Sequence, residues 1–284
     1  KLIGVGSRAR KIPGCDIVTT INDLKSLPPL PPYTAAINVA AYRYDARTFA
    51  KEQSAILQQN VAITNAVYGF CAERQIREVR LASSVAVYPA SATLLDDEHP
   101  VDLNDWPHAG ESAYAWSKRW SEICAELYRR QFGINSIVFR LSNPYGPYDT
   151  TDVAAAHVAS AFVMKALLPS ETFEILGNAD NERDFVFAGD VATTFVASLQ
   201  RQGESGVYNL GSGQITTIRN LAAAVLRSAG SVKRIVIANA PTGGVAARRV
   251  CASRVKQHFA LPTFATLDQG LAATLAWYRN ALSQ

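Results

Sequence analysis

Val79-Arg-Leu-Ala-Ser-Ser-Val-Ala-Val-Tyr88 is an apolar run that carries two serines at the point where the strand pattern stops. An amphipathic stretch from Tyr114 to Phe132 has the apolar spacing of a helix, and Ile137 to Asn143 is a second apolar run that ends at a turn. A strand, a helix and a second strand in this order predict a parallel βαβ unit. Ligands collect at the carboxyl ends of parallel strands, so we expect the functional site where these two runs end.

The rest of the chain continues this alternation of strands and helices. Lys1 to Val5 and Ala35 to Ala41 have the pattern of strands, and Phe49 to Arg74 has that of a long helix. After Pro147 the segments are shorter and more mixed, and the chain closes with a helical pattern from Asp268 to Ala281.

Two parts follow from this change of pattern. Residues 1–147, joined by about 184–212, are expected to form a doubly wound parallel sheet. Residues 148–284 are expected to form a smaller mixed α/β part. The fold class is therefore α/β.

Composition excludes several classes of protein. A hydrophobic content of 48%, a charged content of 18% and a net charge of +4 are typical of a globular protein, and the scattered basic residues do not indicate nucleic-acid binding. No uncharged apolar run reaches the length of about 18 residues that a membrane helix needs. The four cysteines and four histidines do not cluster, which predicts a reduced cytoplasmic protein without a metal site.

Tyr114 and Lys118 are the residues with the clearest chemical meaning. Residues four apart share one face of a helix, so the phenol and the ammonium should point the same way. A free tyrosine has a pKa of about 10, and a neighbouring cation stabilises the phenolate and lowers that value. A serine hydroxyl from the strand end could then hold the substrate oxygen whose proton Tyr114 moves. Such a set of side chains is suited to a reaction in which hydride transfer forms or reduces a carbonyl. The alternative is a half-buried ring beside a solvated lysine, a pair that arises in many helices by chance.

Several segments in the chain occur in the order of a known family. Together they resemble the extended short-chain dehydrogenase/reductase family, in particular its NAD(P)-dependent nucleotide-sugar epimerase/dehydratase branch. The resemblance implies a Rossmann-like dinucleotide-binding domain followed by a substrate-binding part. The matching segments are Asn38 to Ala41, Asn60-Val61, Ser83 to Tyr88, Tyr114 to Lys118, Arg140 to Pro147, Gly177 to Val186 and Tyr208 to Gly213.

The resemblance implies three groups of site residues. Acid–base catalysis would fall to Ser84, Tyr114 and Lys118. The cofactor would contact Ser7, Arg8, Ala40, Ala41, Asn60 and Ser83, together with Tyr114 and Lys118. The sugar nucleotide would contact Ser84, Asn143, Arg183 and Arg249.

Three of these assignments have a plainer alternative. Asn143 could simply cap the turn that follows it. Arg183 could form a surface ion pair with Asp184 or Asp190. Arg249, with its neighbour Arg248, could be a solvated basic pair.

The glycine-rich fingerprint of the family does not follow the first strand. Gly4-Val-Gly6 is soon followed by Pro13-Gly14, so no helix N-terminus is offered to a diphosphate. We therefore assign Lys1 to Gly6 to the family's second strand and expect the first βα unit to be missing. That strand ends in Gly6-Ser7-Arg8 without an acidic residue, which favours NADP slightly over NAD.

The residues after Ser84 restrict the reaction. The dehydratases of this branch carry an Asp-Glu pair there, whereas this chain has Val85-Ala86, which cannot transfer a proton. We therefore expect an epimerase that acts on a nucleotide-diphosphate sugar through a transient keto intermediate. The alternatives are an NADPH-dependent reductase of a keto sugar or other carbonyl, and a degenerate non-catalytic nucleotide-binding member. The family habit of pairing through long helices also implies a homodimer.

Overall fold

A computed structural model describes residues 2–6, 14–31, 34–42, 51–238 and 246–283. The strands are β1 (Ile3–Gly6), β2 (Ile17–Thr20), β3 (Ala35–Asn38), β4 (Glu78–Ser84), β5 (Leu94–Leu95), β6 (Asn135–Leu141), β7 (Asn143–Tyr145), β8 (Thr172–Leu176), β9 (Glu182–Phe187), β10 (Gly206–Leu210), β11 (Ile215–Thr217), β12 (Arg234–Ala238) and β13 (Arg249–Val250). The α-helices are α1 (Gln53–Glu73), α2 (Ser112–Phe132), α3 (Val158–Leu167), α4 (Ala188–Ser198), α5 (Ile218–Ala229), α6 (Ser253–His258) and α7 (Leu267–Ala281).

The central sheet has four parallel strands in the order β10-β6-β4-β3. Ile137 and Phe139 point to one face of it, where they pack against residues of α4 and α6. Val138, between them, points to the other face and packs against residues of α1 and α2. This alternation follows from the two-residue period of a strand, and a sheet covered on both faces requires such apolar runs. The predicted Rossmann-like doubly wound sheet is confirmed.

Local backbone structure defines both ends of α2, the helix that follows β4. A short 3₁₀ turn, Ala109–Glu111, leads directly into α2. At the other end Gly133 takes the left-handed conformation, with φ of 65°, and its amide bonds the Arg129 carbonyl. Glycine is the residue best suited to that conformation, so the helix stops there and β6 can begin.

The C-terminal part packs around its own core. Helices α3, α5 and α7 surround apolar side chains such as Phe162, Phe173 and Leu275, together with the parallel pair β8 and β12. A three-stranded sheet in the order β11-β9-β7 connects this core to the end of β6. The expectation of a mixed α/β arrangement after Pro147 agrees with these elements.

The first two strands form a separate parallel pair. β1 pairs with β2, and within the described residues neither is hydrogen-bonded to the four-stranded sheet. β3 is an edge strand of that sheet, and its Ile37 is 42% exposed. An edge strand leaves a row of backbone donors and acceptors without strand partners.

Substitution by alanine should change the free energy of unfolding in opposite directions at two helical glycines. Gly270 in α7 faces the buried ring of Tyr145, and an added methyl group would lie 2.7 Å from its Cζ atom, so Gly270→Ala should lower the free energy of unfolding by about 2 kcal/mol. Gly69 in α1 has open space at the same position, so Gly69→Ala should raise that free energy by about 0.5–1 kcal/mol. Urea unfolding of both variants measures the difference. No loss of stability in Gly270→Ala would contradict the close approach of α7 to Tyr145, and a loss in Gly69→Ala would contradict the open space beside α1.

Candidate functional site

One cavity opens at the carboxyl ends of β4 and β6, where the sequence placed the site. Its volume is about 480 Å³. The loop after β3, the end of β4, the start of α2 and the segment after β6 all contribute to its wall. The lining residues are Val39, Ala41, Tyr42, Ala82, Ser83, Ser84, Val85, Ala86, Glu111, Tyr114, Lys118, Leu141, Ser142, Asn143, Pro144, Asp149, His157, Val158, Ala159, Arg183, Phe185 and Arg248.

Ser84 and Tyr114 face each other in this cavity, and the serine side chain is close enough to act on the pKa of the phenol. Ser84 is the last residue of β4, and its hydroxyl accepts a 3.1 Å hydrogen bond from the Ala86 amide, which begins the short helix Val85–Val87. This capping bond fixes the serine rotamer because the hydroxyl is tied to the backbone that follows. The serine hydroxyl and the phenol therefore belong to the same cavity.

Lys118 lies one helical turn after Tyr114 and is buried. Its ammonium donates a 2.8 Å hydrogen bond to the Ala82 carbonyl and lies 5.5 Å from the centre of the Tyr114 ring. The alternative of a solvated lysine beside a half-buried ring is therefore wrong. Burial lowers the pKa of Lys118 to about 8, so the ammonium is mostly charged at neutral pH.

The expected lowering of the tyrosine pKa does not appear in this structure. Burial raises the pKa of Tyr114 to about 12, and the neighbouring Ser84 side chain opposes this shift without reversing it. The physical reason is that desolvation penalises the phenolate, while the ammonium of Lys118 is directed at the Ala82 carbonyl and not at the phenol oxygen. At neutral pH Tyr114 is therefore a protonated phenol.

Behind this pair lies a buried ion pair between Glu122 and Arg140. The guanidinium of Arg140, on β6, donates two hydrogen bonds of 3.0 and 2.7 Å to the Glu122 carboxylate, and the two side chains are 5% and 14% exposed. Ser83 donates a 2.6 Å hydrogen bond to the same carboxylate. The carboxylate therefore ties α2 to the ends of β4 and β6.

Asn143 and Arg183 both line the cavity. The side-chain amide of Asn143 donates a 2.8 Å hydrogen bond to the Asp184 carbonyl, which joins β7 to β9 and differs from the turn cap considered above. Arg183 donates to the carbonyl of its neighbour Glu182. Asp184 and Asp190, its suggested ion-pair partners, are engaged elsewhere, since their carboxylates accept hydrogen bonds from Ser142, Ser212 and Gly213 and from Ala265 respectively.

Arg249 is not among the residues that line the cavity, and its neighbour Arg248 takes that place. The Arg249 side chain is 65% exposed and lies 3.5 Å from the Glu182 carboxylate. Arg248 is 7% exposed and lies 2.7 Å from the carboxylate of Glu111, a residue that the sequence did not single out. Arg248 is buried and Arg249 is exposed, so the arginine that reaches the cavity is one position earlier than predicted.

The residues expected at the cofactor are distributed unevenly. Ala41 and Ser83 line the cavity, whereas Ala40 is exposed beside it. Asn60 is buried behind the loop, where its side-chain oxygen accepts a 3.0 Å hydrogen bond from the Tyr42 amide. Asn60 therefore positions the loop that borders the cavity. The expected cofactor residues Ser7 and Arg8 lie outside the described residues.

Sequence reasoning missed several polar residues of this site. Glu122 follows Lys118 by four positions on the predicted helix, so its presence on the same face was available as a signal. Glu111 and Arg248 come together across 137 positions of the chain, and no local pattern predicts such a contact. Two further polar residues that line the cavity were also not predicted, namely Asp149 and His157.

The described residues contain neither a cluster of metal ligands nor a membrane-spanning helix. In that part of the chain no three His, Cys, Asp or Glu side chains lie together as a metal site would require. Every helix described there falls short of the length and apolarity needed to cross a lipid bilayer.

Comparison with known proteins gives one family match. The sequence model of the NAD dependent epimerase/dehydratase family matches residues 14–211. A dTDP-4-dehydro-6-deoxy-D-allose reductase from a Streptomyces species is 27% identical over 249 residues, which cover 88% of this chain and 75% of the relative. A GDP-mannose 3,5-epimerase from Arabidopsis thaliana is 25% identical over 233 residues, which cover 81% of this chain and 61% of the relative, less than two thirds of its length.

Solved structures with the same fold support the architecture. The UDP-glucose 4-epimerase of Thermotoga maritima, solved with UDP-glucose, superposes with a TM-score of 0.81 at 21% identity and covers 99% of this chain and 91% of its own. The UDP-glucose 4-epimerase of Thermus thermophilus, solved with NAD, superposes with a TM-score of 0.72 at 22% identity, covering 87% of this chain and 78% of its own. At these identities the likeness concerns the fold.

The buried ion pair between Glu122 and Arg140 should contribute far more to the free energy of unfolding than an exposed ion pair on the same helix. Glu122→Gln leaves Arg140 buried without its counter-ion, so the free energy of unfolding should fall by about 3 kcal/mol. Glu126→Gln, one turn later, breaks exposed pairs with Arg129 and Arg130 and should cost no more than about 1 kcal/mol. Urea unfolding of the two variants provides the comparison. Equal small losses would show that the Glu122 pair does not hold α2 against the sheet.

Proposed function

Because the chain belongs to the NAD dependent epimerase/dehydratase family, we propose that it is an NAD(P)-dependent epimerase that acts on a nucleotide-diphosphate sugar through a transient keto intermediate. The observation that carries this function is the placement of Ser84, Tyr114 and the buried ammonium of Lys118 in a single cavity. The epimerases and the reductase among the similar proteins are named for nucleotide sugars, which supports the substrate class.

Residues of this chain would accept and return the proton of the sugar hydroxyl. A sugar hydroxyl that enters the cavity can hydrogen-bond to both Ser84 and Tyr114, because both side chains line it and lie close to each other. As that hydroxyl becomes a carbonyl, Tyr114 would accept its proton in the phenolate form, which the positive charge of Lys118 and of a bound nicotinamide would stabilise against desolvation, while Ser84 keeps the oxygen in place. When the carbonyl is reduced again, Tyr114 returns the proton. A bound nicotinamide cofactor supplies the hydride acceptor and donor for these two steps.

The described residues fit the nicotinamide half of such a cofactor. The Ala82 carbonyl takes one of the three ammonium protons of Lys118, and the other two are suited to ribose hydroxyls. Ala41 and Ser83 border the same space, and Asn60 holds the loop that contains Ala41. The preference for NADP over NAD is proposed from Ser7 and Arg8 on the sequence alone.

The sheet topology bears on the expected absence of the family's first βα unit. β1 and β2 pair only with each other in the described residues, and β3 has an open edge. A strand between β1 and β3 would join the two sheets into one, which supports the idea that one βα unit of the family pattern is not among these residues. The residues that bind the cofactor pyrophosphate would then lie outside the described elements.

The two parts of the chain would divide the substrates between them. Residues 1–147 and β10 contribute the parallel sheet and the residues proposed to hold the cofactor. Residues 148–284 bring Arg183 and Arg248 to the cavity, where they would meet the diphosphate through charge-assisted hydrogen bonds. Asn143 would contact the sugar from the boundary between the two parts.

A reductase of a keto sugar is the second candidate, and one observation favours it. Tyr114 is protonated at neutral pH, because burial raises its pKa to about 12, and a protonated phenol is the form that donates a proton to a carbonyl oxygen during reduction. The Streptomyces relative is also a reductase. Dehydration has no support, since Val85 and Ala86 line the cavity where an acid–base pair would be needed. The intact Ser84, Tyr114 and Lys118 argue against a degenerate, non-catalytic member.

Assembly and location are proposed at a coarser level. A homodimer that pairs through α1 and α2 is supported by exposed apolar side chains on these helices, such as Leu57, Trp120 and Leu127. A monomer mass in light scattering would contradict it.

A cytoplasmic location is supported by the scattered, unpaired cysteines, and recovery of the protein only from a membrane or secreted fraction would contradict that.

Replacing one phenol should abolish turnover without unfolding the protein. Tyr114→Phe removes the group that moves the proton, so the rate of interconversion of the nucleotide sugar should fall by roughly 100-fold or more. Tyr128→Phe, on the same helix but packed between Tyr68 and Phe132, is the matched control and should keep its activity. Chromatographic assay of sugar nucleotides with NAD or NADP, together with circular dichroism, gives the answer. Full activity in Tyr114→Phe would exclude the proposed mechanism.

A further inference from the structure

A carboxylate occupies the positively charged end of the cavity. Arg183 and Arg248 both line the cavity, and their charges influence each other. The carboxylate of Glu111 lies 2.7 Å from the guanidinium of Arg248. The three groups together have a net charge of about +1, whereas the two arginines alone would have +2. The cavity is therefore less positive than its arginines indicate.

The two members of the Glu111–Arg248 pair differ in their exposure. The Arg248 side chain is 9% exposed and the Glu111 side chain is 33% exposed. A buried guanidinium without a counter-ion is strongly destabilising, so Arg248 requires an anion at this position. The carboxylate, by contrast, has access to water and can leave the pair at a smaller desolvation cost.

The position of Glu111 in the chain makes this exchange local. Glu111 occupies the position before the first turn of α2, where a side chain often accepts a hydrogen bond from the helix amides, but its side chain makes no such bond. The carboxylate reaches instead to Arg248, from a separate segment of the chain. Its withdrawal would change one side-chain rotamer and leave the helix intact, since the helix does not depend on it for a cap.

We propose that Glu111 is a built-in counter-ion that holds Arg248 until the diphosphate of the substrate displaces it. This role rests on the proposed function, because it takes the arginine pair as the diphosphate subsite. The carboxylate and a diphosphate cannot both remain next to Arg248, because two like charges at contact distance in a partly buried cavity repel strongly. Glu111 therefore competes with the anionic substrate and sets how much of the charge of Arg248 contributes to binding.

The consequence is a gain of affinity when the carboxylate is neutralised. Glu111→Gln keeps the size of the side chain and removes its charge, so Arg248 should be more available to an anion. The dissociation constant for a diphosphate should fall about five- to tenfold, which corresponds to roughly 1–1.4 kcal/mol of binding free energy. The gain should shrink as salt rises, since part of the interaction is screened.

Isothermal titration calorimetry of the full chain tests this with two probes, inorganic pyrophosphate and UDP. The matched control is Glu182→Gln, which removes the same charge from a carboxylate that pairs with the exposed Arg249 outside the cavity. We expect tighter binding of both probes to Glu111→Gln and unchanged binding to Glu182→Gln. The double variant Glu111→Gln with Arg248→Gln should show no gain, because the arginine that the carboxylate competes for is gone.

The outcomes separate this inference from the proposed function. Unchanged or weaker binding of both probes to Glu111→Gln would overturn the inference and show that Glu111 orients Arg248 for its ligand. An equal gain in Glu182→Gln would overturn it as well, since a general change of surface charge would then be responsible. Tighter pyrophosphate binding without any sugar-nucleotide turnover by the wild-type protein would support the counter-ion role and count against the proposed function alone.

Discussion

The buried ion pair between Arg140 and Glu122 is the interaction on which the candidate site depends. It joins β6 to α2, and through the Ser83 hydroxyl it reaches the end of β4. The two strands and the helix between them are thus fixed to one carboxylate. A charge pair in the interior has a desolvation cost that its hydrogen bonds must offset, and here the two arginine bonds and the serine bond do so. The carboxyl ends of the strands are therefore held in one arrangement.

The chemistry of the cavity follows from the same burial. Lys118 lies one turn before Glu122, and the carboxylate raises its pKa against the larger lowering effect of desolvation. The ammonium stays mostly charged, while Tyr114, which desolvation keeps protonated, lies beside it. A protonated phenol next to a charged ammonium is ready to donate a proton, and loss of that proton becomes easier when positive charge is added nearby. The fold thus prepares an acid whose strength can change with what binds beside it.

The sequence predicted those parts of the structure that depend on local spacing. The two-residue period of β4 and β6 and the helical period of α2 gave the parallel sheet, and the four-residue spacing of Tyr114 and Lys118 placed both on one face. Glu111 and Arg248 could not be found in this way, because their contact depends on how the last part of the chain returns to the cavity. Which of the neighbours Arg248 and Arg249 lines the cavity depends on the same return of the chain, so no local pattern distinguishes them. The direction of the Tyr114 pKa shift depends on burial, which no local pattern reveals.

The most direct test of the central claim is a titration of the protein with NADPH and with NADH, followed by cofactor fluorescence, for the wild type and Lys118→Met. The claim is that Ser84, Tyr114 and Lys118 form the nicotinamide end of a cofactor site. Saturable binding to the wild type is expected, with a dissociation constant that rises about tenfold or more in Lys118→Met, because the buried ammonium is proposed to hold the ribose hydroxyls. Saturable binding with equal dissociation constants for the two proteins would contradict it.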